Sequence, residues 1–593
     1  MEYKLKLDIV NGLNSLYNIK IDISEISLQY TKTEFVGDFT FVVFPFVKSA
    51  KKSPETIGNE LGAYIKEHNS NVLDYNVVKG FLNIEITNET WIDFINTKVK
   101  TESYLPSDLF SGSNPIVVEF SSPNTNKPLH LGHIRNNLLG DSLSRIYEAV
   151  GHKVVKVNLV NDRGIHICKS MLAWLKWGNG ETPKSSGVKG DHLVGKYYVL
   201  FDQEYKLQIE KLVSEGASPE DAEKNAPIIL EAQEMLRKWE NNDKEVRELW
   251  QTMNSWVYDG FDMTYETMNI SFDKTYYESE TYLLGKEIIE KGLADGVFHK
   301  RPDGSVWIDL QDENLDEKLL LRSDGTSVYM TQDIGTALQR HNEYNPDKLI
   351  YVVGNEQEYH FQVLKVILKK LGYDWWQKIE HFSYGMVELP AGKMKSREGT
   401  VVDADDLMDE MFTTAEQTAA ELGKADFESE ETAQEHYKMI GLAALKYFIL
   451  KIDPRKNMLF NPAESIDFNG NTGTFIQYTH ARIRSVLRKS EVDVSSLKVK
   501  DIESFAEIEK RLLIKVYDFP TTVKLSALQQ SPALICNYAY DLASTYNQFY
   551  HECNILREQD ESIKEFRLVI SHCVAKTIKQ AMNLLGIDVP EQM

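Results

Sequence analysis

Cysteine is scarce in this chain. The four present among 593 residues (Cys168, Cys536, Cys553 and Cys573) form no C-x-x-C pair. That excludes a disulfide scaffold and a thiolate zinc site, and it fits a reducing compartment such as the cytoplasm. No run approaches the roughly 18 uncharged apolar residues of a membrane span, so no membrane-spanning helix and no membrane partner are expected. The opening twenty residues carry charges throughout and have no apolar core segment, so no secretory signal is expected there. Positive charge is also in deficit: 66 Lys and Arg stand against 89 Asp and Glu, for a net charge of −23. Broad non-specific nucleic-acid binding needs a basic field and is disfavoured, but a local basic track on an acidic body remains allowed.

The remaining composition is globular, with 42% hydrophobic and 26% charged residues, which excludes disorder or low complexity for the chain as a whole. At about 150 residues per domain, the length predicts roughly four domains. Residues 1–110 mix helix and strand signals, and FLNIEIT (81–87) alternates as a half-buried strand does. A Ser-, Pro- and Gly-rich stretch (101–115) predicts a linker. Region 111–404 opens with IVVEF (116–120), a short apolar run of the buried parallel type. Then Leu139, Leu143, Ile146 and Val150 mark one helix face, and VVKVNLV (154–160) a second strand. This is a βαβ unit, the start of a doubly wound sheet. Residues 201–250 hold 20 charged residues in 50, which predicts a helical insertion, at about 185–260, with solvated faces. VWIDL (306–310) and LIYVVG (349–354) are expected to resume the sheet. The chain then reads as helices, a connector at 405–468 followed by a helical domain at 469–593.

The chemistry is concentrated after the first buried strand. His130 and His133 flank Gly132 immediately before a helix. A helix N-terminus offers unpaired N–H groups and a partial positive charge, both suited to phosphate. Gly132 lets a ligand approach the backbone, and two imidazoles can donate to phosphate oxygens as charge develops. Two metal ligands or two unrelated surface histidines are the competing readings. No third or fourth metal ligand stands nearby, and the place in a βαβ unit favours phosphate.

HLGH fits the H-x-G-H signature of class I aminoacyl-tRNA synthetases. The wider string EFSSPN…KPLHLGHIRNNLLGD (119–141) resembles the arginyl-tRNA synthetase family. GKMKSREGTVV (392–402) stands where class I synthetases carry K-M-S-K-S and is similar to the arginyl variant. The resemblance implies that Lys393, with Met394 and Arg397, lies against ATP, and that Lys393 stabilises the leaving pyrophosphate. Ser396 occupies the position of the second lysine; in the family a lysine just before H-x-G-H compensates, and Lys127 stands there. Which cation other than Lys393 contacts ATP stays open, since Lys395 and Glu398 also depart from the family pattern.

An arginine pocket needs carboxylates in fork geometry for a planar cation. Glu119, Asn124 and Gln357 fall at or just after predicted C-terminal strand ends, where open α/β sheets bind ligands. Tyr329 and Asp333 share a face if their segment is helical, and His360 follows Gln357 by three. By the family match, Glu119 and Asp333 face the guanidinium with Tyr329 beside them. Asn124 and Gln357, with Ser122 and His133, hold the amino-acid head group. In the region 469–489, which resembles the opening of the family's helical anticodon-binding domain, Tyr478, Arg482 and Arg484 combine aromatic and basic groups suited to tRNA. The first 100 residues resemble the family's extra N-terminal domain.

The expected protein is therefore a multidomain α/β plus all-α chain. It combines a Rossmann-type doubly wound catalytic domain with helical insertions, a small α+β N-terminal domain and a C-terminal helical bundle. The resemblance implies ATP-dependent ligation of L-arginine to tRNA through an arginyl adenylate, with Mg²⁺ accompanying ATP and no structural metal. Nothing points beyond a monomer. A class I enzyme for lysine, glutamate or cysteine, and a tRNA-binding protein with a dead site, remain the alternatives.

Overall fold

A computed structural model describes residues 1–32, 34–107, 109–110, 112–388, 402–421, 429–461, 470–500 and 502–593. The N-terminal region is a four-stranded antiparallel sheet in the order β1-β2-β4-β3: β1 Leu28–Tyr30, β2 Phe39–Val42, β3 Val72–Val78 and β4 Phe81–Ile86. The alternation in β4 turns Leu82, Ile84 and Ile86 into the core. Helix α1 (Glu2–Tyr17) packs on α2 (Pro54–His68), which covers β3 and β4. Helix α3 (Asn88–Lys100) leads into the 101–115 segment. That segment is clamped rather than free. Tyr104 is buried, its N–H donates to Gln580 Oε1 (2.9 Å), and Lys576 Nζ donates to Thr101 O (2.5 Å).

The central sheet is fully parallel, in the order β12-β11-β5-β6-β7: β5 Ile116–Glu119, β6 Val154–Val160, β7 Lys274–Tyr277, β11 Lys348–Gly354 and β12 Ile379–Tyr384. All four residues of β5 are buried, as a strand covered on both faces must be. The chain winds from β5 through β6 to β7 on one side and later from β11 to β12 on the other. The switch point therefore lies between β5 and β11, and their C-terminal ends open a crevice there. Helix α4 (Leu131–Ala149) follows β5; its back is buried against C-terminal helices.

Helices α5 (Ile165–Trp177), α6 (Gly190–Ser214), α7 (Pro219–Asn225), α8 (Pro227–Glu240) and α9 (Lys244–Thr267) separate β6 from β7. Helix α10 (Lys286–Ala294) precedes a separate antiparallel sheet of β8 (His299–Lys300), β9 (Val306–Ile308) and β10 (Lys318–Leu321). VWIDL thus does not resume the main sheet. Val306 and Ile308 are buried while Trp307 is half-exposed, the one-sided pattern of an antiparallel sheet, whereas Leu349–Val352 is buried throughout. Helices α11 (Tyr329–Tyr344) and α12 (Glu358–Lys370) flank β11. Short strands β13 (Val387–Glu388) and β14 (Met458–Leu459) pair in parallel.

The C-terminal part comprises α13 (Ala404–Glu421), α14 (Glu430–Leu450), α15 (Gly473–Ser490), α16 (Glu507–Gln529), α17 (Pro532–Glu552) and α18 (Glu561–Leu584). It binds both ends of the molecule together. Asn96 exchanges hydrogen bonds with the Val499 backbone (2.8 and 2.9 Å), and Lys510 pairs with Asp38 (3.1 Å). Buried Lys446 donates to Met268 O (2.7 Å) and Gly586 O (2.6 Å), and burial lowers its pKa to about 8.

Candidate active site

The crevice at the switch point is a cleft of about 350 Å³ lined by Ser122, His130, Gly132, His133, Asn136, Val352, Val353, Tyr384, Met386 and Val387. Its floor is set by an unusual turn out of β5. Ser121 adopts φ +64°, a left-handed conformation that costs a non-glycine residue energy. Two contacts hold it. Its N–H donates to Asn136 Oδ1 (2.6 Å), and its hydroxyl shares a hydrogen bond with the Tyr265 hydroxyl (2.7 Å). Asn136 Nδ2 donates onward to Val352 O (2.7 Å) and the Tyr384 hydroxyl (3.1 Å). One side chain of α4 thereby joins the ends of β5, β11 and β12.

The two histidines cap the helix they begin. The Gly132 N–H donates to His130 Nδ1, and the His130 N–H donates to His133 Nδ1, each at 3.1 Å. Both Nδ1 atoms accept, so a neutral ring at either position carries its proton on Nε2. Burial lowers the His130 pKa to about 4, with Lys127 adding to the effect, and burial pushes His133 down too. Both rings are neutral donors near pH 7. A Cβ on Gly132 would come within 2.9 Å of His130 Cε1, so a side chain there would crowd the imidazole against the cleft. Neutral N–H donors, a helix N-terminus and an open backbone fit a polyphosphate. No carboxylate lines this cleft among the described residues. A divalent cation there would therefore be held by the ligand's own oxygens.

Both ends of the second signature segment are tied to α4. Arg135, fully buried, donates to Met386 O (3.2 Å), Pro454 O (3.1 Å) and Lys456 O (2.7 Å) and so fixes the strand entering it. On the exit side, Leu131 N–H donates to Val402 O (3.1 Å) and Ala404 N–H to Leu129 O (3.0 Å), which pairs His130 with Asp403. Lys393, Met394 and Arg397 themselves lie outside the described residues. Lys127 lines a neighbouring cavity of about 240 Å³ together with His130, His192 and Asp403.

That exit is also latched from the insertion. Lys189 contacts Asp405 (2.5 Å) and Asp191 (3.3 Å), while His192 Nε2 lies 3.0 Å from Asp405. Asp191, His192 and Asp405 have metal-ligand spacing, but the Lys189 ammonium already pairs with both carboxylates. Burial alone would raise the Asp405 pKa; hydrogen bonds from His192 and Lys189 outweigh it and hold the pKa at about 2. The hydrogen bond to Asp405 raises that of His192.

The amino-acid side of the crevice departs from expectation at two residues. Glu119 ends β5 as predicted, but it is buried in an ion pair with Arg340 of its own chain. Tyr329 starts α11 four residues before Asp333, at the expected helical spacing, but is 76% exposed to solvent. Asp333 stands on α11 facing Glu119 and bonds His360 Nε2 (2.5 Å). Ser122, Asn124 and Gln357 are exposed along the rim, and the Asn124 backbone is bridged to Asn161 beside it. Sequence reasoning passed over Asn136 and Arg340. Each follows a named residue at helical spacing, three after His133 and seven after Asp333.

The C-terminal basic stripe is largely committed within the chain. Arg482 donates to Asn547 Oδ1 (2.5 Å) and stacks on Tyr478 (4.8 Å). Arg484 pairs with Glu591 (2.5 Å), and Arg488 donates to its carbonyl (2.8 Å). The stripe seats the C-terminal tail on α15.

Three family models match the chain. They are "tRNA synthetases class I (R), catalytic domain" over residues 105–461, "DALR anticodon binding domain" over 476–593, and "Arginyl tRNA synthetase N terminal domain" over 4–86. The arginine–tRNA ligase of Bacteroides thetaiotaomicron is 56% identical over 596 residues, covering 100% of both chains. That of Flavobacterium psychrophilum is 54% identical, covering 99% of both. Among solved structures, Thermus thermophilus arginyl-tRNA synthetase aligns over 100% of this chain and 99% of its own, with TM-score 0.79 and 23% identity, a likeness of fold.

Proposed function

The chain belongs to the arginyl-tRNA synthetase family, and we propose from its geometry how its residues divide the work of joining L-arginine to tRNA with ATP. An oxygen of the arginine carboxylate attacks the α-phosphorus. The bond to the β,γ-pyrophosphate breaks as the new P–O bond forms. A ribose hydroxyl at the tRNA 3′ end then attacks the adenylate carbonyl, and AMP leaves. No protein nucleophile is needed.

The observation that carries this reading is the capping at the start of α4, in which His130 Nδ1 accepts from Gly132 and His133 Nδ1 from His130, leaving two neutral Nε2–H donors at a helix N-terminus beside the switch-point cleft. Donors already in place stabilise charge developing on the transferring phosphoryl group without reorganising. Lys393 and Lys127 take the pyrophosphate charge, Met394 and Arg397 flank ATP, and Mg²⁺ travels with the phosphates. Asp333 and Glu119 face the guanidinium; Asn124, Gln357 and Ser122 orient the head group. Tyr478, Arg482 and Arg484 belong to the tRNA-binding domain, with Arg484 acting through the tail it holds. Tyr329, one helical turn before Asp333, stands beside it. The enzyme works as a cytoplasmic monomer.

The test is ATP–pyrophosphate exchange with each of the twenty amino acids, with and without total tRNA. Exchange with arginine alone, dependent on tRNA, is expected. Exchange with another amino acid overturns the pocket, and full exchange without tRNA overturns the tRNA requirement.

A further inference from the structure

Helix α11 presents two charged groups on one face, Asp333 at the rim and Arg340 two turns deeper. Arg340 is wholly buried, at 0% exposure, and its guanidinium contacts Glu119, itself 6% exposed. The cation rests between the rings of Tyr276 (4.9 Å to the centroid) and Tyr351 (5.6 Å). Among the described residues its partners are side chains, the Glu119 carboxylate and Tyr351, and no backbone carbonyl accepts from it. Arg340 therefore does not serve as a hub for backbone carbonyls, as Arg135 does. Its one ion pair among the described residues is with Glu119, the carboxylate that ends β5.

We propose that Arg340 is a positioning residue for amino-acid selection, which keeps Glu119 ionised and oriented so that the pocket matches one guanidinium. The inference rests on the reading that Glu119 and Asp333 face the substrate side chain. The charge count supports it. Two carboxylates and one internal guanidinium leave a single negative charge, which one substrate cation neutralises. Without Arg340, Glu119 would stand buried beside a second carboxylate, and both effects favour its protonated form. Burial raises its pKa, Arg340 pulls it back down and Asp333 pushes it up again, so the carboxyl stands above its ordinary value and without Arg340 would stand higher still. A protonated Glu119 cannot accept a guanidinium fork on both oxygens. The groups facing Glu119 are Arg340 and Asp333 from α11, Ser122 beyond β5, and Tyr351 from β11. His360 and Glu278 act on it only through Asp333.

The test is the KM for arginine and for ATP, measured with tRNA from about pH 6 to about pH 8 in full-length wild type, Glu119→Gln, Arg340→Gln and Arg340→Lys. Arg340→Gln is expected to raise the arginine KM about tenfold or more near neutral pH. That KM should fall as pH rises, because loss of Arg340 favours the protonated form of Glu119. The ATP KM should stay unchanged, and Arg340→Lys should restore most of the affinity. Glu119→Gln should raise the arginine KM with no such slope. If Glu119→Gln raises it and Arg340→Gln does not, the inference falls while the pocket stands. If Glu119→Gln leaves it unchanged, the pocket reading itself falls. Should Arg340→Gln fail to fold, the apolar Arg340→Met decides. An arginine KM that rises on acidification more steeply than wild type supports the proposal, and a profile identical to wild type overturns it.

Discussion

His130 holds the tautomer of His133: its backbone N–H donates to His133 Nδ1 at 3.1 Å, while its own Nδ1 accepts from the Gly132 N–H. Each ring thus has its Nδ1 engaged and its Nε2–H free to turn toward the cleft. Replacing either with Ala removes a preorganised donor and should lower kcat for pyrophosphate exchange by about 10²–10³-fold. His→Asn retains a donor and should recover part of the loss. Rapid-quench measurement of adenylate formation checks this.

The same burial sets a pH dependence of stability. The His130 pKa falls from 6.5 to about 4 on folding. Between those values the unfolded chain binds more protons, so this residue's contribution is present above pH 6.5 and is lost as pH falls toward about 4. Thermal unfolding should show a shallower acid slope in His130→Asn than in wild type.

Arg135 is a buried cation whose two Nη groups donate to three backbone carbonyls. Arg135→Met leaves them unpaired and should destabilise the chain by about 3 kcal/mol. The strand entering the second signature should loosen with it. Denaturant unfolding measures the first effect, and hydrogen exchange at 384–388 the second.

The Lys189–Asp405–His192 latch has opposing pH limits. Asp405, at about 2, contributes above its unfolded value of 3.8 and loses that as pH falls toward 2. His192, raised, contributes below 6.5 and loses that as pH rises through its folded value. The difference in Tm between wild type and Asp405→Asn should be largest from about pH 4 to about pH 6.5 and shrink on both sides.

Gly140 lies where α4 crosses the end of β5. A Cβ there would sit 2.2 Å from Phe120 Cγ, and Phe120 already packs on Phe272 at 4.8 Å. Gly140→Ala should cost about 1–3 kcal/mol through overpacking, despite alanine's better helix propensity. Urea unfolding gives the sign directly.

By itself the sequence determined the class of fold and the family of the protein. Buried strand, glycine-bearing turn and amphipathic helix are local patterns, and local patterns dictate a βαβ unit wherever they occur. HLGH, the string around it and the later Lys-Met segment are contiguous motifs, so they were legible without a fold. Tertiary structure alone decided the pairings. VWIDL reads like a core strand, yet its one-sided burial sends it to a separate sheet. Glu119 reads as a ligand carboxylate, yet Arg340, 221 positions later, lies against it. Arg484 reads as a basic group open to tRNA, yet Glu591, at the far end of the chain, neutralises it. Charge interactions depend on distance in space, and a linear chain records only which charges exist.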